Sequence, residues 1–225
     1  MNVYRVTTFP KPPGTKFRYY AQLSCKKSDE KFLDDDNFRG VPFPKKWRRI
    51  ELFFDEPLWP RADFYNFGLT KFVCNERARK LLASTLDPLG EFLPVTVQGE
   101  KETHYIYNIT NYGGAFVDPA KSVREHLDSS RTFLTFVAPA FKPSAIKKEV
   151  IFKISEDRGT EIYCVERSDK PGKQEFKGLV EGNNLTGLKF DFAWSEKRGP
   201  VPLDTPPRLP GSGWITGDGK EFRVK

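Results

Sequence analysis

The sequence predicts an α+β fold: a mixed, largely antiparallel sheet with two or three short helices. Three observations carry this expectation. Short runs of aromatic and β-branched residues alternate with polar ones along the chain, and Gly- and Pro-rich turns divide them. One stretch, residues 63–86, changes period midway from strand-like to helical. Aromatic residues make up 14% of the chain, with 20 Phe, which is enough for a packed interior and argues against wholesale disorder.

Residues 3–9 and 16–24 read as strands parted by the turn Pro10-Lys11-Pro12-Pro13-Gly14. Residues 27–46 are polar, with an acidic run at Asp34-Asp35-Asp36 and prolines at 42 and 44. They are expected to form a long surface loop. Arg49 to Phe54 alternates as a half-buried strand does. From Asp63 to Val73 the residues are again strand-like. Then Ala78, Leu81, Leu82 and Leu86 fall at i, i+3, i+4 and i+8, one face of a helix. Asn75 is its expected N-cap, because its side chain can accept a bond from an amide that the first turn leaves unpaired. Glu76 sits where the helix dipole favours an anion. Pro88 and Gly90 end the helix.

Beyond it, Phe92–Val97 and His104–Ile109 read as two strands of a hairpin joined by a polar loop. Asn111 to Gly114 is a turn. Asp118-Pro119 is expected to start a short helix containing Val123 and Leu127. A strand is expected at 132–138, and two more at 150–154 and 160–165. Gln174 to Glu181 places Phe176, Leu179 and Val180 on one helical face, with Gly182 closing it. Residues 188–194 alternate, with Leu188, Phe190, Phe192 and Trp194 on one side. Five prolines between 200 and 210 exclude a helix or central strand there. Residues 214–216 and 221–224 flank Gly217-Asp218-Gly219-Lys220 as a terminal hairpin. Residues 1–60 are read as the first strands and loop of one domain, 61–194 as its core, and 195–225 as a proline-rich tail.

The charge balance, 37 − 30 = +7, supports solubility and loose attraction to polyanions, but it is not a nucleic-acid signature. Cys25, Cys74 and Cys164 are odd in number and far apart, so buried reduced thiols are expected rather than a disulfide framework. No apolar leader core follows the first residues, and no run approaches the roughly 20 apolar residues that span a bilayer. A soluble protein of a reducing cytoplasm, without a membrane partner, is the expectation. His104 and His126 have no second ligand at helical spacing. There is no GxSxG elbow, and the glycine-rich turns near the end open no helix. No catalytic residue, cofactor or metal ligand is therefore expected.

Two charged segments remain as candidate partner-binding residues. Lys45, Lys46, Trp47, Arg48 and Arg49 interleave cations with an aromatic ring. Such a cluster can track a phosphate backbone, or it can simply begin a strand with a charged outer face. Asp34, Asp35 and Asp36 can attract a basic partner or stand solvated.

A family resemblance bears on the choice. Asp63-Phe64 followed by Asn75-Glu76-Arg77-Ala78-Arg79-Lys80-Leu81-Leu82 resembles a "DF … SERARxLL" core. Pro94-Val95, Tyr105-x-Tyr107-Asn108-Ile109 and, later, Phe176-x-x-Leu179-Val180 and Leu185-Thr186-Gly187-Leu188-x-Phe190 follow in the same order. Over residues 60–194 the chain is similar to the immunity proteins of bacterial polymorphic toxin systems. The matching positions read mostly as packing residues. The resemblance implies an α+β, cytoplasmic, non-catalytic domain that neutralises a cognate toxin by binding it, and it implies no catalytic residues. The alternatives are a nucleic-acid-binding protein using residues 45–49, or an enzyme whose site converges from distant positions such as Cys74, His104 and His126.

Overall fold

A computed structural model describes residues 1–8, 20–68, 70–126, 133–157, 159–167, 175–202 and 213–216. The first elements are β1 (Asn2–Thr7), β2 (Leu23–Cys25), α1 (Lys27–Glu30), β3 (Glu51–Phe54), β4 (Phe64–Asn66), β5 (Phe72–Cys74) and α2 (Glu76–Leu86). Then come β6 (Gly90–Val97), β7 (His104–Ile109), β8 (Tyr112–Gly113), β9 (Val123–His126), β10 (Phe133–Ala138) and α3 (Pro143–Ile146). The last are β11 (Ile151–Ile154), β12 (Ile162–Glu166), α4 (Phe176–Gly182), β13 (Lys189–Ser195), β14 (Gly199–Pro200) and β15 (Gly213–Thr216).

These strands form two six-stranded sheets, ordered β14-β13-β1-β12-β11-β8 and β2-β3-β6-β7-β5-β4, and a three-stranded sheet, β10-β9-β15. Only β3–β6 and β11–β8 run parallel among the described pairs, so the fold is α+β with largely antiparallel sheets.

Alternation distributes each six-stranded sheet between two interiors. Val6, Ile162, Cys164 and Ile151 of the first sheet share one layer with Phe64, Phe72, Cys74, Tyr107 and Ile109 of the second. Ala78, Leu82 and Leu86 of α2 and Phe176 and Val180 of α4 complete that layer. The far face of the second sheet buries Leu52, Val73, Val95 and Ile106 beneath Tyr20, Leu33 and Phe38. The far face of the first buries Val3, Phe152 and Tyr163 against Phe141 and Ile146.

Helix α2 forms as its sequence dictates. Asn75 Oδ1 accepts from the Ala78 amide at 2.8 Å. Ala78, Leu82 and Leu86 are buried, but Leu81 is 39% exposed, so the stripe is narrower than the periodicity implied. The two buried leucines contribute roughly 3–6 kcal/mol as an upper figure. The preceding stretch is a hairpin rather than one strand, because Gly68 turns the chain at φ +78 between β4 and β5.

Other expectations need correction. Residues 27–46 are not a plain surface loop. They contain α1 and a 3-10 turn at Asp35–Phe38, and they bury Leu33 and Phe38. The helix expected from Asp118-Pro119 is a turn closed by Ser122 N–H bonding Asp118 O at 3.1 Å. Val123, β-branched and fully buried, then enters β9. Leu127 lies outside the described residues. Trp194 does not share a face with Phe190 and Phe192. A register shift between Val3 and Tyr4 leaves one extra residue, Ala193, in β13, and Trp194 turns to the opposite interior. β15 pairs with β9, and the other half of the expected terminal hairpin lies outside the described residues.

The motif residues also do more than pack. Asp63 is buried and closes a polar clasp. Its Oδ1 accepts from Asn75 Nδ2 at 3.1 Å and Arg77 Nη1 at 2.9 Å. Its Oδ2 accepts from the Thr186 amide at 2.8 Å and the Thr186 hydroxyl at 3.1 Å. Burial alone would raise the Asp63 carboxyl, yet these donors hold it below the usual carboxylate range. Gly187 is required beside the clasp, because it sits at φ +98 and a Cβ there would lie 2.0 Å from the Phe64 carbonyl oxygen.

Candidate docking face

The basic–aromatic segment is built on a ring cluster. Phe32, just past α1, lies 5.0 Å from Phe43 and 5.6 Å from Trp47, centroid to centroid. Phe43 meets Trp47 edge-on at 5.0 Å, and Phe38 backs Phe43 at 5.1 Å. Prolines 42 and 44 flank Phe43 and restrict the backbone that carries it. The Phe43 amide donates to Glu91 Oε2 at 2.8 Å, and the Trp47 indole N–H donates to the Pro94 carbonyl at 2.8 Å. Both bonds fasten this irregular segment to β6.

Cations lie over and around the rings. The Arg48 guanidinium sits 4.6 Å from the Phe32 ring centre and pairs with Asp29 at 2.5 Å. Lys45 Nζ lies 5.7 Å from the same ring. A ring contact holds a charged head in place without removing its charge, whereas the Asp29 pair offsets that of Arg48. Lys46 and Arg49 are exposed, as are Lys26, Lys27 and Lys31 in and beside α1. Lys26 pairs with Glu51 at 2.7 Å. The result is an exposed basic run, Lys45, Lys46 and Arg49, beside two paired cations on a stiff aromatic base.

The acidic run goes elsewhere. Asp34 Oδ1 accepts from the Asp36 amide at 2.8 Å and caps the 3-10 turn. Asp35 reaches Lys71 Nζ at 2.6 Å and the Thr70 hydroxyl at 2.8 Å. The Lys71 side chain is only 2% exposed. Burial pushes its amine down, and the Asp35 charge opposes that. Asp36 pairs with Arg39 at 2.5 Å. The two predicted segments therefore do not form one site: residues 45–49 stay at the surface, while Asp35 is spent inside.

Burial shifts the thiols toward the protonated form and the His104 imidazole toward the neutral one. Cys74 and Cys164 are buried, and desolvation pushes both thiols far up. The helix N-terminus beside Cys74 does not reverse this. Cys25 is also raised, first by burial and then by Asp29 and Glu30. His104 is buried, its ring 5.9 Å from that of Tyr65, and burial pushes its pKa down. The His126 side chain lies outside the described residues. Among the described residues, no three His, Cys, Asp or Glu gather as metal ligands, and no helix is long and apolar enough to cross a membrane.

Phe32 and Phe43 escape a sequence reading of this face. Their only signal is that they are isolated aromatic residues in a polar stretch. Compared with known proteins, the chain matches no family model and no curated sequence.

Proposed function

We propose that this chain is a non-catalytic binding protein that neutralises a cognate bacterial toxin in the cytoplasm, docking through the basic face at residues 45–49. The resemblance over residues 60–194 supplies the kind of partner. One observation supports the surface: the Phe32–Phe43–Trp47 cluster holds Lys45 and Arg48 on a fixed base. Pre-positioned cations lose little side-chain freedom on binding, and aromatic and Arg anchors dominate interfaces. The partner surface it fits is acidic.

Nucleic-acid binding is the competing reading, and the state of Trp47 weighs against it. Its ring packs on Phe32 and Phe43 and its N–H is bonded to Pro94, so the half-buried ring is committed to the protein rather than held out for base stacking. The deciding experiment titrates this protein with the product of the adjacent gene. Binding should be saturable, and the double variant Lys46→Glu, Arg49→Glu should weaken it at least about tenfold. Absence of binding removes the toxin reading. Binding of single- or double-stranded nucleic acid that falls steeply with salt would replace it.

A further inference from the structure

A small cavity of about 60 Å³ lies where the third sheet meets the first. Its lining comes from Arg5 of β1, Tyr163 of β12, Ala193 of β13, residues 137–139 at the end of β10, and the turn that carries Asp157 and Glu161.

Two polar atoms of these lining residues have no protein partner. Asp157 Oδ1 serves its own turn, accepting from the Gly159 amide at 2.8 Å and the Thr160 amide at 3.2 Å. Asp157 Oδ2 is buried and accepts from no group. Arg5 donates through Nη1 to Glu161 at 3.2 Å, but its Nε is buried without an acceptor. Leaving such atoms bare is costly, so buried polar atoms are nearly always bonded to protein or to ordered water. What is needed is a group that donates at Asp157 and accepts at Arg5.

The Asp157 carboxyl adds a second condition. Burial, followed by the charge of Glu161, pushes it up to about 7, so near neutrality it exists both as the acid and as the anion. A cation would serve only the anion and could not accept from Arg5. An anion would suit Arg5 and be repelled by the carboxylates. Water donates and accepts, and it can serve Asp157 in either form.

We propose that this cavity is a site for two ordered waters, linked in a chain between Arg5 Nε and Asp157 Oδ2. One water takes up roughly 30 Å³ in the liquid, so the volume suits two. Cavities that stay empty are lined by apolar groups, and this one is not. The waters are then part of the fold, tying β1 to the turn after β11. This inference does not rest on the docking reading.

The test is a high-resolution crystal structure of the full chain at about pH 5.5 and about pH 8.5, either side of the Asp157 titration, and after a rubidium bromide soak. Two density peaks should lie in the cavity, one within hydrogen-bonding distance of Arg5 Nε and the other of Asp157 Oδ2. Both should persist at the two pH values and carry no anomalous signal. In solution, oxygen-17 relaxation dispersion of water should count fewer long-held waters in Asp157→Leu than in the unaltered protein. If that variant does not fold, the crystals decide. An empty cavity, peaks at one pH only, or an anomalous rubidium or bromide peak overturns the proposal. A direct Arg5–Asp157 bond that closes the cavity, or an unchanged count in a folded Asp157→Leu, would also overturn it.

Discussion

Asp35 and Lys45 are separated by ten positions, and each lies in a run of like charge. Their fates are opposite. Asp35 turns inward to meet Lys71, a partner 36 positions away that is almost wholly buried. Lys45 stays outside, beside a ring that orients it but leaves it charged. The difference teaches that a charged side chain is drawn inward when its partner is fixed in the interior, as Lys71 is. It stays at the surface when it can reach its ring or its partner from outside, as Lys45 reaches Phe32 and Arg48 reaches Asp29. Removing a residue from the first run should therefore cost stability, and removing one from the second should cost binding.

The largest expected effect is for Asp35→Ala. It would leave the Lys71 ammonium buried without its carboxylate, at about 3–5 kcal/mol. A denaturant midpoint within about 0.5 kcal/mol of the unaltered protein would erase the contrast.

Next comes pH. Beneath the loop that Asp35 anchors, burial, followed by the repulsion of Lys71, pushes the Lys153 amine down to about 7. Its ordinary value is 10.5, so between the two the unfolded chain holds a proton that the folded chain lacks. Stability should rise with pH across that window. Burial, followed by Glu161, pushes the Asp157 carboxyl from 3.8 up to about 7. There the folded chain holds the extra proton, so stability should fall as pH rises toward 7. Together the two groups place a minimum near neutrality. Denaturant midpoints at about pH 5, 7 and 9 should trace it, each arm amounting to at least about 1 kcal/mol. Lys153→Met should flatten only the alkaline arm.

Asp34→Ala removes the cap of the 3-10 turn and should cost about 1 kcal/mol by the same measurement. Smallest of all, the paired reversal Lys46→Glu, Arg49→Glu should leave stability within about 0.5 kcal/mol, because both side chains are exposed. A larger loss would mean that the basic run is structural after all.

Legibility in the sequence follows the range of the interactions. The cap of α2 was readable because Asn75 and Ala78 are three residues apart, and the β6–β7 hairpin because its loop is local. The exposure of Leu81 was not, since it depends on what faces the helix. Nor was the turning of Trp194, because alternation assumes that no residue is inserted, and the shift lies in the pairing with β1. The clasp at Asp63 was hidden for the same reason. Its residues stand out as a pattern in the sequence, but the hydrogen bonds that join them cross 123 positions to Thr186. Of the candidate docking face, the basic run was legible and its Phe32–Phe43 base was not. The cavity was invisible, because its walls come from four distant segments.

The place of β1 carries one more consequence. This strand lies between β12 and β13, and Tyr4 bonds Glu166 across 162 positions. The first sheet therefore cannot close until segments 162 positions apart have met, and such long-range pairing makes its assembly slow. Before they meet, β1 is an unpaired ribbon with both of its edges open to mispairing.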